Sequence, residues 1–169
     1  MVTAVDRDRG EGADSMGRAR EICLRQLETR PRSRAELAAV LDRHRIDQEV
    51  AEVVLNRLAE VGLVDDRAFA AMLVSSAQVN RGLGRRGLAH ELRRRGVDPE
   101  ISSVALQAVD GIDEEATARS LVRRRLAAMD DLPVPVRARR LAALLDRRGY
   151  PADLVLRVVM EELEGSMED

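Results

Sequence analysis

From Arg18 to about Glu164, apolar residues recur at the i, i+3, i+4 and i+7 spacing of helices that bury one face. Alternating β-branched runs and hairpin dipeptides, the marks of strands, do not occur. The pattern predicts nine helices, at about 18–30, 34–44, 48–61, 66–80, 85–95, 99–109, 113–129, 137–148 and 151–164. It also repeats. "RAELAAVLDRHRIDQEV" (34–50), "RRGLAHELRRRGVDPEI" (85–101) and "RARRLAALLDRRGYPADL" (137–154) align with one residue of slack in the last. Leu37, Leu88 and Leu141 share a column, as do Leu41, Leu92 and Leu145. Ile46, Val97 and Tyr150 share a third, and Val50, Ile101 and Leu154 a fourth. A unit of this length holds about three helices and is too small to bury its own apolar face, so stacked neighbours must share a core. The expected fold class is all-α: three tandem three-helix repeats at 18–62, 63–110 and 111–164. A flexible polar N-terminal tail (1–17) and an acidic C-terminal tail (165–169) flank them. "DDLPVPV" (130–136) is expected to be a proline-bearing connector.

The boundaries carry their own chemistry. Ser33 and Glu36 have the spacing of a capping box. Asp47, Asp65 and Asp98 are N-cap candidates, and Pro99 suits a first helical position. Val64 and Phe69 have hydrophobic-staple spacing. Gly62, Gly96 and Gly149 stand where helices should end, because glycine adopts the left-handed conformation cheaply. The first repeat carries Arg45 where the later ones carry that glycine.

Composition narrows the class. Apolar residues make up 45% of the 169 and charged residues 34%, a balance that folds. The aromatic residues are Phe69 and Tyr150, so the core is aliphatic. Cys23 stands alone, which excludes an internal disulfide and points to a buried thiol in a reducing compartment. With no signal-peptide core and no long apolar run, a cytoplasmic protein without a membrane span is expected. Net charge is −2, but it is banded. Residues 47–66 carry six acids against Arg57, residues 80–96 six arginines against Glu91, and residues 161–169 five acids and no base. A band binds where a mean does not.

The basic band, "NRGLGRRGLAHELRRRG" (80–96), contains a literal G-x-G-x-x-G at Gly82, Gly84 and Gly87. A dinucleotide fingerprint needs a strand before it, and a helix pattern precedes this one. The glycines instead suit a turn between two helices, with Gly87 admitting a close approach. Wound as a helix, 85–95 sets Arg86, His90, Arg93 and Arg94 opposite Leu88 and Leu92. The third repeat does the same with Arg139, Arg140 and Arg147 against Leu141 and Leu145. Arg119 and Arg123, i and i+4, extend the lane. The candidate contact residues are Arg81, Arg85, Arg86, Arg93, Arg94, Arg139, Arg140 and Arg147. Such a lane suits an acidic protein groove or a phosphate backbone, and the lack of aromatic stacking platforms argues against base readout. His44 and His90 have no ligand partners at metal spacing, and no catalytic motif appears. A non-enzymatic protein without metal or cofactor is expected.

"LVDDRAFA" (63–70), "RRGLAHELRRRGV" (85–97) and "RLAALLDRRGYPADLVLRVV" (140–159) together resemble the RecX family, regulators of the RecA recombinase, over about residues 18–164. The resemblance implies an elongated, curved array of three-helix units lying in the groove of the RecA nucleoprotein filament. It further implies restraint of RecA ATPase and strand exchange, filament disassembly, and a place in homologous recombination, DNA repair and the SOS response. Contact with single- or double-stranded DNA through the phosphate backbone and a monomeric state are expected with it. Two rival classes remain: a helix-turn-helix-like regulator that binds DNA directly, and a scaffold for another protein. Direct DNA reading needs a recognition helix carrying Asn, Gln or Arg toward base edges, whereas the candidate helix 48–61 is acidic and 99–109 has no arginine.

Overall fold

The computed structural model describes residues 4–107 and 114–168. Among them are nine helices and no strand: α1 (Ala4–Thr29), α2 (Arg34–Arg43), α3 (Gln48–Glu60), α4 (Asp66–Arg81), α5 (Arg85–Arg94), α6 (Pro99–Gln107), α7 (Glu114–Leu126), α8 (Val134–Arg147) and α9 (Ala152–Glu168). The all-α expectation holds, and most boundaries fall within two residues of the reading. The last residues expected in the sixth helix, 108–109, and the first of the seventh, 113, lie outside the described residues.

Four boundaries differ by more than two residues, the first being the end of α7 at Leu126, three short of the expected 129. α1 begins at Ala4, so 4–17, expected as a loose tail, is helical. A polar run without periodicity is not a broken one: it contains no proline, and Gly10 and Gly12 each weaken a helix by only about 1 kcal/mol. α8 begins at Val134 within the expected connector, with Pro133 at the N-cap and Pro135 in the first turn. Proline is tolerated there because those N–H groups have no helical acceptor. α9 runs on through Gly165 to Glu168.

The caps form as their residue types dictate. Ser33 Oγ accepts from the Glu36 N–H while the Glu36 carboxylate accepts from the Ser33 N–H, closing the capping box. Asp47, Asp65 and Asp98 each accept from the two backbone N–H groups that follow at N2 and N3. Val64 and Phe69 are both buried. Gly62, Gly96 and Gly149 have φ of 73°, 69° and 83°. Arg45, in the same place, is held at φ 57°, where a Cβ is strained by about 1–2 kcal/mol.

The chain forms two compact units, residues 1–70 with 94–101 and residues 71–93 with 102–169. In the first, Cys23, Leu37, Leu41 and Leu55 make a fully buried core with Val54, Leu58 and Val64. In the second, Leu141, Leu145, Tyr150 and Val158 pack with Leu121, Val122 and Leu126. The aligned leucines of the first two columns are all completely buried.

Both units contain the same interlock. In the first, Ser33 Oγ donates to the Arg95 carbonyl at 2.6 Å, and Gly96 lies so close that a Cβ there would collide with Ala35. In the second, Gly84 N–H donates to the Arg148 carbonyl at 2.9 Å, and Gly149 presses on Gly87. Arg95 and Arg148 are equivalent in the repeat, as are Ser33 and Gly84. The glycine that ends one repeat's middle helix thus abuts the first turn of the middle helix in the repeat before it. In the first unit an ion-pair triad adds to this: the half-buried Glu36 carboxylate meets Arg30 at 2.8 Å and Arg95 at 2.8 Å.

Burial works to raise the Glu36 pKa, but the Arg30 guanidinium, the Ser33 N–H and Arg95 outweigh it and bring the group from 4.5 to about 2. Because the folded-state value lies below the unfolded one, this stabilisation is complete above the unfolded value and vanishes as pH falls through about 2. Glu36→Gln is therefore expected to cost about 1–3 kcal/mol at neutral pH. The gap from the parent protein should close between about pH 5 and pH 2 in urea titrations. A constant gap across that range would show that the carboxylate charge is not what matters.

Candidate functional site

The glycine motif is structural. Gly82 takes φ 57° and turns the chain between α4 and α5. Its carbonyl accepts from the Tyr150 hydroxyl at 3.0 Å, and the Arg148 guanidinium donates to the neighbouring Arg81 carbonyl. Burial, with Glu114 nearby, pushes the Tyr150 phenol up to about 12, so it stays a donor at any physiological pH. Tyr150 thus fills an apolar column, as its alignment with Ile46 and Val97 requires, and spends its polar tip on a turn carbonyl.

This turn forms one wall of an open groove of about 880 Å³ in the second unit. Arg81 comes from the end of α4, Arg124 and Arg125 from α7, and Arg139, Arg140 and Arg147 from α8, with Arg148 just beyond its end. Leu121, Met129, Ala143 and Leu144 form its apolar parts, and Val79, 80% exposed, stands on the rim. No carboxylate among the described residues lines it. A second hollow, of about 610 Å³, shares Arg81 and Arg147 and adds Arg86, His90 and Arg93, together with Glu91 and Asp146. Glu91 is buried on α5, 3.8 Å from the Arg81 guanidinium, and His90 Nδ1 lies 3.1 Å from the Arg93 guanidinium.

Of the eight arginines singled out from sequence, Arg81, Arg86, Arg93, Arg139, Arg140 and Arg147 line these two connected hollows. Arg85 does not: its guanidinium donates to the Leu106 carbonyl and its N–H to Glu114. Arg94 belongs to the other compact unit and lines neither hollow. The proposed extension through Arg119 and Arg123 fails. Arg119 pairs with Glu115, Glu161 and Glu162, and Arg123 with Glu162 at 2.7 Å. Arg157 joins the same network through Glu115 at 2.9 Å. These guanidiniums hold Glu115 and Glu162 below the usual carboxylate range. Glu115 stands four residues before Arg119, a spacing that marks a helical ion pair. Three groove arginines escaped the sequence reading. Arg124 and Arg125 had a usable signal, for they stand three and four residues after the core residue Leu121. Arg148 had none, since its position depends on how α8 ends.

The third repeat therefore sorts its arginines into two sets. One set is neutralised on α7 and α9. The other, including Arg125, Arg139, Arg140 and Arg147, faces the groove without a carboxylate partner among the described residues. Clustered like charges raise the energy of the free protein and lower that of a complex with an anionic partner.

The fold defines the class: a tandem three-helix-repeat protein, with no group of three or more His, Cys, Asp or Glu side chains converging among the described residues. No described helix is long and apolar enough to cross a membrane. Residues 19–58 match the family model for the first three-helix domain of RecX, and residues 65–106 that for the second. The chain is 54% identical over 151 residues to the regulatory protein RecX of Thermobifida fusca, covering 89% of this chain and 82% of that protein. It is 47% identical over 156 residues to the regulatory protein RecX of Streptomyces coelicolor, covering 92% and 83%. The crystal structure of RecX from Lactobacillus salivarius shares the fold, with a TM-score of 0.74 and 18% identity over 90% of this chain and 98% of that one. The chain belongs to the RecX family of non-enzymatic regulatory proteins.

Proposed function

We infer that the protein is a non-enzymatic regulator that binds the RecA–DNA filament and restrains RecA ATPase and strand exchange. Membership of the RecX family supports RecA as the target. The observation within this molecule that supports a binding role is the arginine groove between α7 and α8, which no carboxylate among the described residues lines. A regulator of this kind acts by binding one filament state better than another, and can shift the balance only by that difference in affinity. The groove and its neighbouring hollow supply the anion-seeking surface through Arg81, Arg86, Arg93, Arg139, Arg140 and Arg147. Any DNA contact goes through phosphates, because no aromatic side chain lines the groove to stack bases. A monomeric state and a cytoplasmic location belong to the same proposal.

The test is RecA's single-strand-dependent ATPase, followed while the protein is added at substoichiometric amounts. Inhibition well below one molecule per RecA protomer is expected. A rate indifferent to the protein at any ratio would overturn the assignment, and a protected sequence on a duplex would favour direct DNA regulation.

A further inference from the structure

We propose that the arginine groove of the second unit is a seat for an acidic amphipathic helix of a partner protein. This deepens the regulator reading and rests on it only in that the partner is a protein.

The groove's composition carries the argument. A surface for a phosphate backbone needs clustered cations and nothing apolar between them. Here α8 alternates the two: Arg139 and Arg140, then Ala143 and Leu144, then Arg147, all facing the groove. These span about 12 Å of helix, a little over two turns. Across from them, α7 sets Arg124 and Arg125 at the groove, above the core residue Leu121 that forms its floor. Leu144 is half-buried yet stands outside the core that Leu141 and Leu145 join. Val79 carries an almost bare apolar side chain to the rim, next to Asn80 and Arg81. An apolar strip between two arginine tiers complements a helix with leucine-type residues at i and i+4 and carboxylates on both flanks. Burial of the strip supplies affinity, and the guanidinium tiers fix orientation and reject basic partners.

Fluorescence anisotropy tests this with three labelled probes: a helical peptide with Leu at i, i+4 and i+7 flanked by Glu, a scrambled peptide of the same composition, and oligothymidylate. The full chain is expected to bind the amphipathic peptide at least tenfold more tightly than the scrambled one. Leu144→Gln should remove that preference while keeping the helical fold by circular dichroism and leaving oligothymidylate binding unchanged. Arg139→Glu with Arg140→Glu should abolish peptide binding. Equal binding of the two peptides, or a preference that survives Leu144→Gln, overturns the proposal and leaves a purely electrostatic surface. Oligothymidylate binding tighter than peptide, insensitive to Leu144→Gln, overturns it in favour of nucleic acid. RecA ATPase measured in parallel separates the two levels. A chain that inhibits RecA but does not tell the peptides apart loses only this inference, and one that binds the peptide but leaves RecA unaffected loses the regulator reading.

Discussion

Gly149→Ala is expected to be the most damaging single methyl in the molecule. At φ 83° an alanine is strained by about 1–2 kcal/mol before it meets anything. Its Cβ would also lie 2.6 Å from the Gly87 Cα and closer still to the Gly87 nitrogen. Both are backbone atoms of a helix already held through the Gly84–Arg148 hydrogen bond, so neither retreats as a flexible side chain would. Overpacking of this kind adds about 1–3 kcal/mol, for a total of about 2–5 kcal/mol. Gly87→Ala meets the Arg148 carbonyl from the other side and should cost a similar part of the clash without the φ penalty. Gly62→Ala provides the control. Its φ is 73°, yet nothing stands within 4 Å of the added methyl, so it should cost about 1–2 kcal/mol. Urea midpoints of the three variants, at an unchanged dependence on denaturant, measure the difference. If Gly149→Ala and Gly62→Ala fall by the same amount, the contact between repeats contributes nothing beyond the turn.

The contrast between those glycines shows what was legible in the chain. Gly62, Gly96 and Gly149 announce helix ends because left-handed φ is a local demand that residue type reveals. The collision partner of Gly149 lies 62 positions away in a separate repeat, and no local pattern points to it. The leucine columns were legible for the opposite reason. Periodicity ties Leu37, Leu88 and Leu141 to one face, and all three are wholly buried. The basic lane was half legible. A helical wheel identifies residues that share a face, but not which neighbouring helix covers that face. Arg119 and Arg123 do share one, and α9 meets it with Glu161 and Glu162. Arg124 and Arg125, one and two residues further along α7, turn instead toward the groove. Likewise, an absence of apolar periodicity over 4–17 identified a stretch without a stripe, not one without a helix.

Arg139→Glu with Arg140→Glu is expected to weaken inhibition of RecA ATPase by about tenfold to a hundredfold, which is about 1.4–2.8 kcal/mol of binding. Both side chains are exposed and lack a carboxylate partner among the described residues, so their loss breaks no ion pair with any of those residues. Replacing them relieves crowding with Arg124, Arg125 and Arg147 in the same groove, and the melting temperature should hold or rise. A stable variant with a large functional loss is the signature of charge kept for a partner rather than for the fold. Arg20→Glu with Arg25→Glu makes the same change in net charge on α1, which contributes no residue to the groove. That double should lose little inhibition, and less of it as salt is raised past the range where distant charges are felt. The groove variant should remain defective at that salt, because close charge pairs in a contact are screened far less than long-range attraction. If both doubles fall equally and recover together in salt, the protein reaches its target through overall charge, and the groove has no special part in it.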